Sequence, residues 1–145
     1  MKKLISLCCA VLLLLSLCAC GASGPDTANL KNRYFPSEIT IGSQKADVLA
    51  ALTQAGKTYT QSDVNDMVYV GNYDLTIWFK DGKVNAMRAN CQKIVIDELT
   101  GLLGEGKITD NGKHYAWSAN LDGSSVSLVV AWYDSANTWR IEWDD

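Results

Sequence analysis

The chain has little of what most metal centres, disulfide scaffolds and nucleic-acid interfaces are built from. It holds one histidine, and 13 Lys and Arg stand against 16 Asp and Glu, for a net charge of −3. No basic surplus remains for gripping a phosphate backbone. His114 sits between Lys113 and Tyr115 with no other His or Cys near it, so no zinc ligand set forms and a half-exposed strand histidine is expected. No Gly-x-Ser-x-Gly elbow, His-Glu-x-x-His pair or glycine-rich strand-to-helix loop occurs, which leaves hydrolase, metalloprotease and nucleotide-binding chemistry without a motif. Asp63, Asn65 and Asp66 crowd one loop, but an EF-hand needs glycine at its sixth position, where Val68 stands, so a solvated turn is expected. Asp144 and Asp145 close the chain as hydrated carboxylates. These absences predict no catalytic residue, no metal and no cofactor. Yet 48% of the residues are hydrophobic and 20% charged, too apolar for a disordered chain and suited to one compact domain or two very small ones.

Met1-Lys2-Lys3 gives a positive start, and Leu4 to Leu17 is an almost unbroken apolar run of 14 residues. A stable membrane span needs about 20, so this length fits the core of a signal peptide. The run ends in Leu17-Cys18-Ala19-Cys20, followed by Gly21-Ala22-Ser23-Gly24, and resembles the bacterial lipobox. That resemblance implies removal of residues 1–19, a diacylglycerol thioether on Cys20, and further acylation, as by palmitate, of the new N-terminus. Each buried CH₂ is worth roughly 0.8 kcal/mol and a single chain holds only marginally, so two or more chains are needed. The alternative is an ordinary secretory signal cut after Ala19, with Cys20 a bystander. Gly21 stands where the Gram-negative inner-membrane retention signal has Asp, so the expected location is the cell membrane or outer membrane, facing the extracytoplasmic side.

Loss of residues 1–19 removes two lysines and takes the net charge from −3 to −5. Four of the five cysteines lie in the signal or lipobox, so only Cys91 remains and no internal disulfide can form. An exported domain without disulfides depends on its core. Cys91 either bridges two copies or is a buried thiol on one helical stripe with Val95, Leu99 and Leu102. Gly21 to Asn32 is small, polar and without apolar pattern, which reads as a flexible tether. The expected organisation is signal 1–19, lipidated N-terminus and tether 20–33, and two units, 34–90 and 91–145.

The two units read as copies. Asp47, Leu49, Leu52, Gly56 and Lys57 match Asp97, Leu99, Leu102, Gly106 and Lys107 at a constant offset of fifty. Each copy opens with a helix. In the first, Ser43 is the expected cap, Val48, Leu49, Leu52 and Ala55 form the stripe, and Gly56 stops it. In the second, Asn90 is the expected cap and Gly104 or Gly106 the stop. Strands follow at 67–70, 74–80 and 83–89, with Asp81-Gly82 as a tight hairpin signal, and at 114–120, 125–133 and 138–143. A shorter strand precedes each set, near 57–61 and 107–110. The predicted fold class is therefore α+β: two tandem repeats of a helix plus an antiparallel meander, with the helices on one face of the sheet.

Alternation assigns the faces. Leu75, Ile77, Phe79, Val84 and Ala86, with Leu128, Val130, Trp132, Trp139, Ile141 and Trp143, are expected under the helices. The other face then carries Thr76, Trp78, Lys80, Asn85 and Met87, with Val129, Ala131, Tyr133, Arg140 and Glu142. Four of the five tryptophans fall in the last 29 residues, most of them suited to filling a core.

The helix introduced by Ile41-Gly42-Ser43-Gln44-Lys45-Ala46-Asp47-Val48-Leu49, followed by a tyrosine strand and Leu75-Thr76-Ile77-Trp78-Phe79-Lys80-Asp81-Gly82-Lys83-Val84, resembles the repeat of β-lactamase-inhibitor-protein-like domains. That fold is shared with the SmpA/OmlA family of small outer-membrane lipoproteins. The chain departs from it in lacking the methionine after the glycine, a Leu-Gly-x-Pro after the helix, a Gly-Ser opening in the second copy, and the disulfides of the secreted inhibitors. The resemblance implies a membrane-anchored, non-enzymatic interaction module, either an envelope assembly scaffold or a hydrolase-inhibitor-like protein. The expected partner is another envelope or secreted protein, with the membrane held through the N-terminal lipid and no nucleic acid bound. Trp78, Met87 and Tyr133 would give apolar anchors, and Lys80, Arg140 and Glu142 a polar frame. The competing reading is a small-molecule-binding or enzymatic lipoprotein with a pocket between the repeats, lined by Asp47 and Asp97 or by Tyr59 and His114.

Overall fold

The structure is a computed structural model that describes residues 28–62, 64–72, 74–121 and 124–145. The expected signal peptide, Cys20, the first part of the tether and Asp63 lie outside the described residues. No helix among the described residues is long and apolar enough to cross a membrane. The fold is α+β. Helices α1 (Ala28–Tyr34) and α2 (Lys45–Gln54) precede strands β1 (Tyr59–Ser62), β2 (Met67–Val70), β3 (Leu75–Lys80) and β4 (Lys83–Cys91). Helix α3 (Val95–Leu103) precedes β5 (Lys107–Thr109), a 3-10 turn at Asp110–Gly112, β6 (His114–Leu121), β7 (Ser124–Tyr133) and β8 (Thr138–Asp144). All eight strands form one antiparallel sheet in the order β1-β2-β3-β4-β8-β7-β6-β5. Its edges are two short strands, β1 and β5.

The helices differ from expectation at their starts. Residues 28–32, expected as tether, wind into α1, whose Lys31 is buried and whose Nζ donates to the Ser37 carbonyl at 3.4 Å. Phe35 follows into the core and meets Trp143 edge-on, centroids 6.0 Å apart. Packing, not local pattern, holds this short helix. In α2 the cap is Gln44, because the Ser43 hydroxyl is occupied in accepting the Thr40 N–H at 3.0 Å. Gly56, at φ +63°, does stop α2: the N–H groups of Gly56 and Lys57 turn back to the carbonyls of Thr53 and Leu52, the double bond of a Schellman cap. Asn90 caps nothing. Strand β4 runs through Cys91, so α3 begins only at Val95 and ends at Gly104, φ +83°. Cys91 is thus a half-buried strand residue beside Trp139, off the stripe of α3, and Leu102 faces solvent.

Asp81 and Gly82, with φ of +52° and +73°, form the expected hairpin between β3 and β4; two successive positive φ values match the twist of the flanking strands. Past it, β4 carries a bulge. Phe79 pairs with Val84 but Trp78 pairs with Ala86, so Asn85 is the extra residue. One added residue reverses every later side chain. Ala86 therefore points to the outer side. Met87, expected there, is 0% exposed, packed beside Ile77 on one side and Trp143 on the other.

The inner face joins Val68, Ile77, Met87, Leu128, Val130, Ile141 and Trp143 with Val48 and Leu52 of α2 and Val95 and Leu99 of α3 in one core. Trp117 ties α3 to β6: its indole N–H donates to the Gly104 carbonyl at 2.9 Å. Gly106 makes this possible, since a Cβ there would lie 2.5 Å from the Trp117 ring.

Candidate functional site

The outer face is set by the alternate residues of the same strands. Register places Trp78 and Lys80 of β3, Arg88 of β4, Arg140 and Glu142 of β8 and Tyr133 of β7 on it. These side chains stack. The Arg88 guanidinium lies over the Trp78 ring at 4.7 Å and over the Tyr133 ring at 5.1 Å, and the Arg140 guanidinium lies over Tyr133 at 4.8 Å. The order is ring, cation, ring, cation, each contact within cation–π range. Arg88 Nε also donates to Glu142 Oε2, an ion pair whose side chains are each 24% exposed. Arg140 has no such partner: its Nε is buried without a hydrogen bond, and no described carboxylate pairs with it.

The stack has a charge pattern. Lys80, Lys83, Arg88, Lys107 and Arg140 share this face with three carboxylates, Glu142, Asp144 and Asp74, the last held opposite Asn90. The chain as a whole is acidic, at −3. In reverse of the chain as a whole, cations therefore outnumber carboxylates on the outer face. Asp66 pairs with Lys45 at 2.5 Å, Glu98 with Arg33 at 2.6 Å and Asp134 with Lys113 at 3.0 Å, all outside it.

No protein-family model, curated protein or solved structure matches this chain.

Of the residues expected to form the site, Trp78, Lys80, Tyr133, Arg140 and Glu142 lie on one face and Met87 does not. Arg88, which sequence reasoning missed, is the residue that joins the two rings. Its signal was a break in parity: Val84, Ala86, Met87 and Ala89 are all apolar, which alternation alone does not allow. A second aromatic group stands at the open end of the inner face, where Trp132 and Trp139 are only half-buried, not core. Trp139 meets Trp132 at 5.7 Å and Tyr115 at 6.3 Å, and Trp132 donates its indole N–H to Asp134 at 2.8 Å.

The residues expected around an inter-repeat pocket do not meet. Tyr59 is on edge strand β1, inner face, near Thr53, whereas His114 is on β6, outer face, 3.1 Å from the Thr109 hydroxyl. Asp47 and Asp97 are exposed, on separate helices, and neither lines the cleft beside α1. An open cleft of about 870 Å³ lies elsewhere, between α1, the end of α2 and the β2–β3 turn, with Phe35, Leu52 and Leu75 among its walls. Burial pushes the Cys91 thiol up to about 12, so it is a poor nucleophile at neutral pH.

Proposed function

We propose that this protein is a non-enzymatic interaction module, anchored through a lipid on Cys20 and facing the extracytoplasmic side, that docks another envelope or secreted protein on the outer face of its sheet. The observation that carries the reading is the stack of Trp78, Arg88, Tyr133 and Arg140. It is preformed, half-exposed and, among the described residues, covered by no helix. Aromatic rings and arginines held in fixed rotamers supply contact area at low entropic cost and are the residue types that dominate binding energy at interfaces.

The strand order supports the tandem-repeat reading. It runs as two four-stranded meanders, each preceded by a helix, with their last strands, β4 and β8, paired at the seam. The same arrangement is compatible with a β-lactamase-inhibitor-protein-like domain. The test is crosslinking of the lipidated protein in its own membrane, comparing the native chain with a Trp78→Ala, Tyr133→Ala variant. Loss of a specific crosslinked partner from a variant that stays folded is expected; undiminished capture would refute the outer face as the docking surface. Cys20→Ala should release the protein from the membrane.

A further inference from the structure

Resting on that reading, we infer that the partner offers an acidic segment to the outer face, with one of its carboxylates held by Arg140. Three observations lead there. The first is the charge balance, five cations against three carboxylates on one face of an acidic chain. Such a face attracts and orients an acidic surface.

The second is the unequal state of the two arginines. Arg88 is sandwiched between two rings and paired with Glu142, so its charge is answered inside the protein. Arg140 has a ring on one side, an unsatisfied Nε, and no carboxylate. A half-buried guanidinium that no carboxylate answers is a place where an incoming carboxylate gains, through short, charge-assisted hydrogen bonds. Tyr133 holds the guanidinium plane in place, so little freedom is lost on binding.

The third separates a protein from an anionic bilayer. Trp78 and Tyr133 lie against guanidiniums instead of standing out for insertion. A fixed fork beside a fixed ring suits a carboxylate on a folded or extended peptide.

The experiment uses the full chain in neutral detergent micelles, with Arg Nε–Hε signals followed by NMR. The probes are a Glu-rich decapeptide, the same peptide with Gln at every Glu, and phosphatidylglycerol vesicles. The Glu peptide should shift the Arg140 signal, bind at least tenfold more tightly than its Gln twin, and lose at least tenfold in affinity with Arg140→Gln. Arg140→Lys, which keeps the charge but not the fork, should fall between. Lys57→Ala, on the far side of the molecule, should change nothing. Equal binding of the two peptides, undiminished binding by Arg140→Gln, or an Arg140 response to vesicles without one to peptide would each overturn the inference. None of these bears on the crosslinking result, so a partner lost with Trp78 and Tyr133 would leave the docking face standing even if the acidic segment fails.

Discussion

The two faces of the sheet are made by alternate residues of the same strands, and both are rich in aromatic rings, yet they are finished differently. On the inner face Trp143 is 0% exposed and lies edge-on against Phe35 beneath the helices. On the outer face Trp78 lies flat against a guanidinium. Thr76, Ala86 and Ala131 are buried on that side with no helix to cover them. Their cover is the aliphatic stems of the arginines and the rings themselves, long amphipathic side chains shielding small ones while their charged ends stay wet. Hydrophobicity therefore does not distinguish the faces. What does is whether backbone elements or charged side chains form the lid.

That difference can be broken or sharpened by substitution. The largest effect belongs to Trp143→Ala, which should cost about 3–5 kcal/mol in urea unfolding, because the cavity opens under both α1 and the seam of the sheet. Trp78→Ala in the same assay should cost about 1 kcal/mol; equal losses would erase the distinction between the faces. Next is Gly106→Ala. Its Cβ would meet the Trp117 ring at 2.5 Å and push it off the Gly104 carbonyl, for a loss of about 1–3 kcal/mol.

Smaller still is the coupling of Arg88 to Glu142 on the outer face. A double-mutant cycle with Arg88→Ala and Glu142→Gln should return about 0.2–1 kcal/mol, the range for a pair still reached by water. The least effect on stability comes from Asp134, whose carboxyl is held below its usual value first by Lys113 and then by the Trp132 N–H. A lowered folded value means the stabilisation is present above the ordinary carboxylate range and lost only as pH falls through the lower folded value. The Trp132 indole proton signal should accordingly stay constant down to the ordinary carboxylate range and move below it; a midpoint at the ordinary value would show that the contact does not persist in solution.

All eight strands were legible in the sequence because alternation and turn chemistry agreed, most clearly at Asp81-Gly82, where two positive φ values demanded those residue types. The errors cluster where one residue changes the count. Asn85 is extra in β4, and it alone sends Met87 to the core and Ala86 outward. Continuation of β4 through Cys91 removed Asn90 from its expected capping role and Cys91 from the helical stripe. Helix α1 was illegible because Asn29, Lys31, Asn32 and Arg33 show no apolar period; contacts far along the chain, Phe35 with Trp143 and Arg33 with Glu98, decide it. Of the expected site residues on the outer face, five were found by parity and Arg88 was hidden by the bulge.

The sheet stops at two stubs, β1 with four residues and β5 with three. Open backbone at a sheet margin invites a neighbouring chain to add its own strand, and the invitation weakens as the margin shortens. Copies crowded together thus gain little by polymerising edge to edge, and Lys107 on β5 adds charge to that margin.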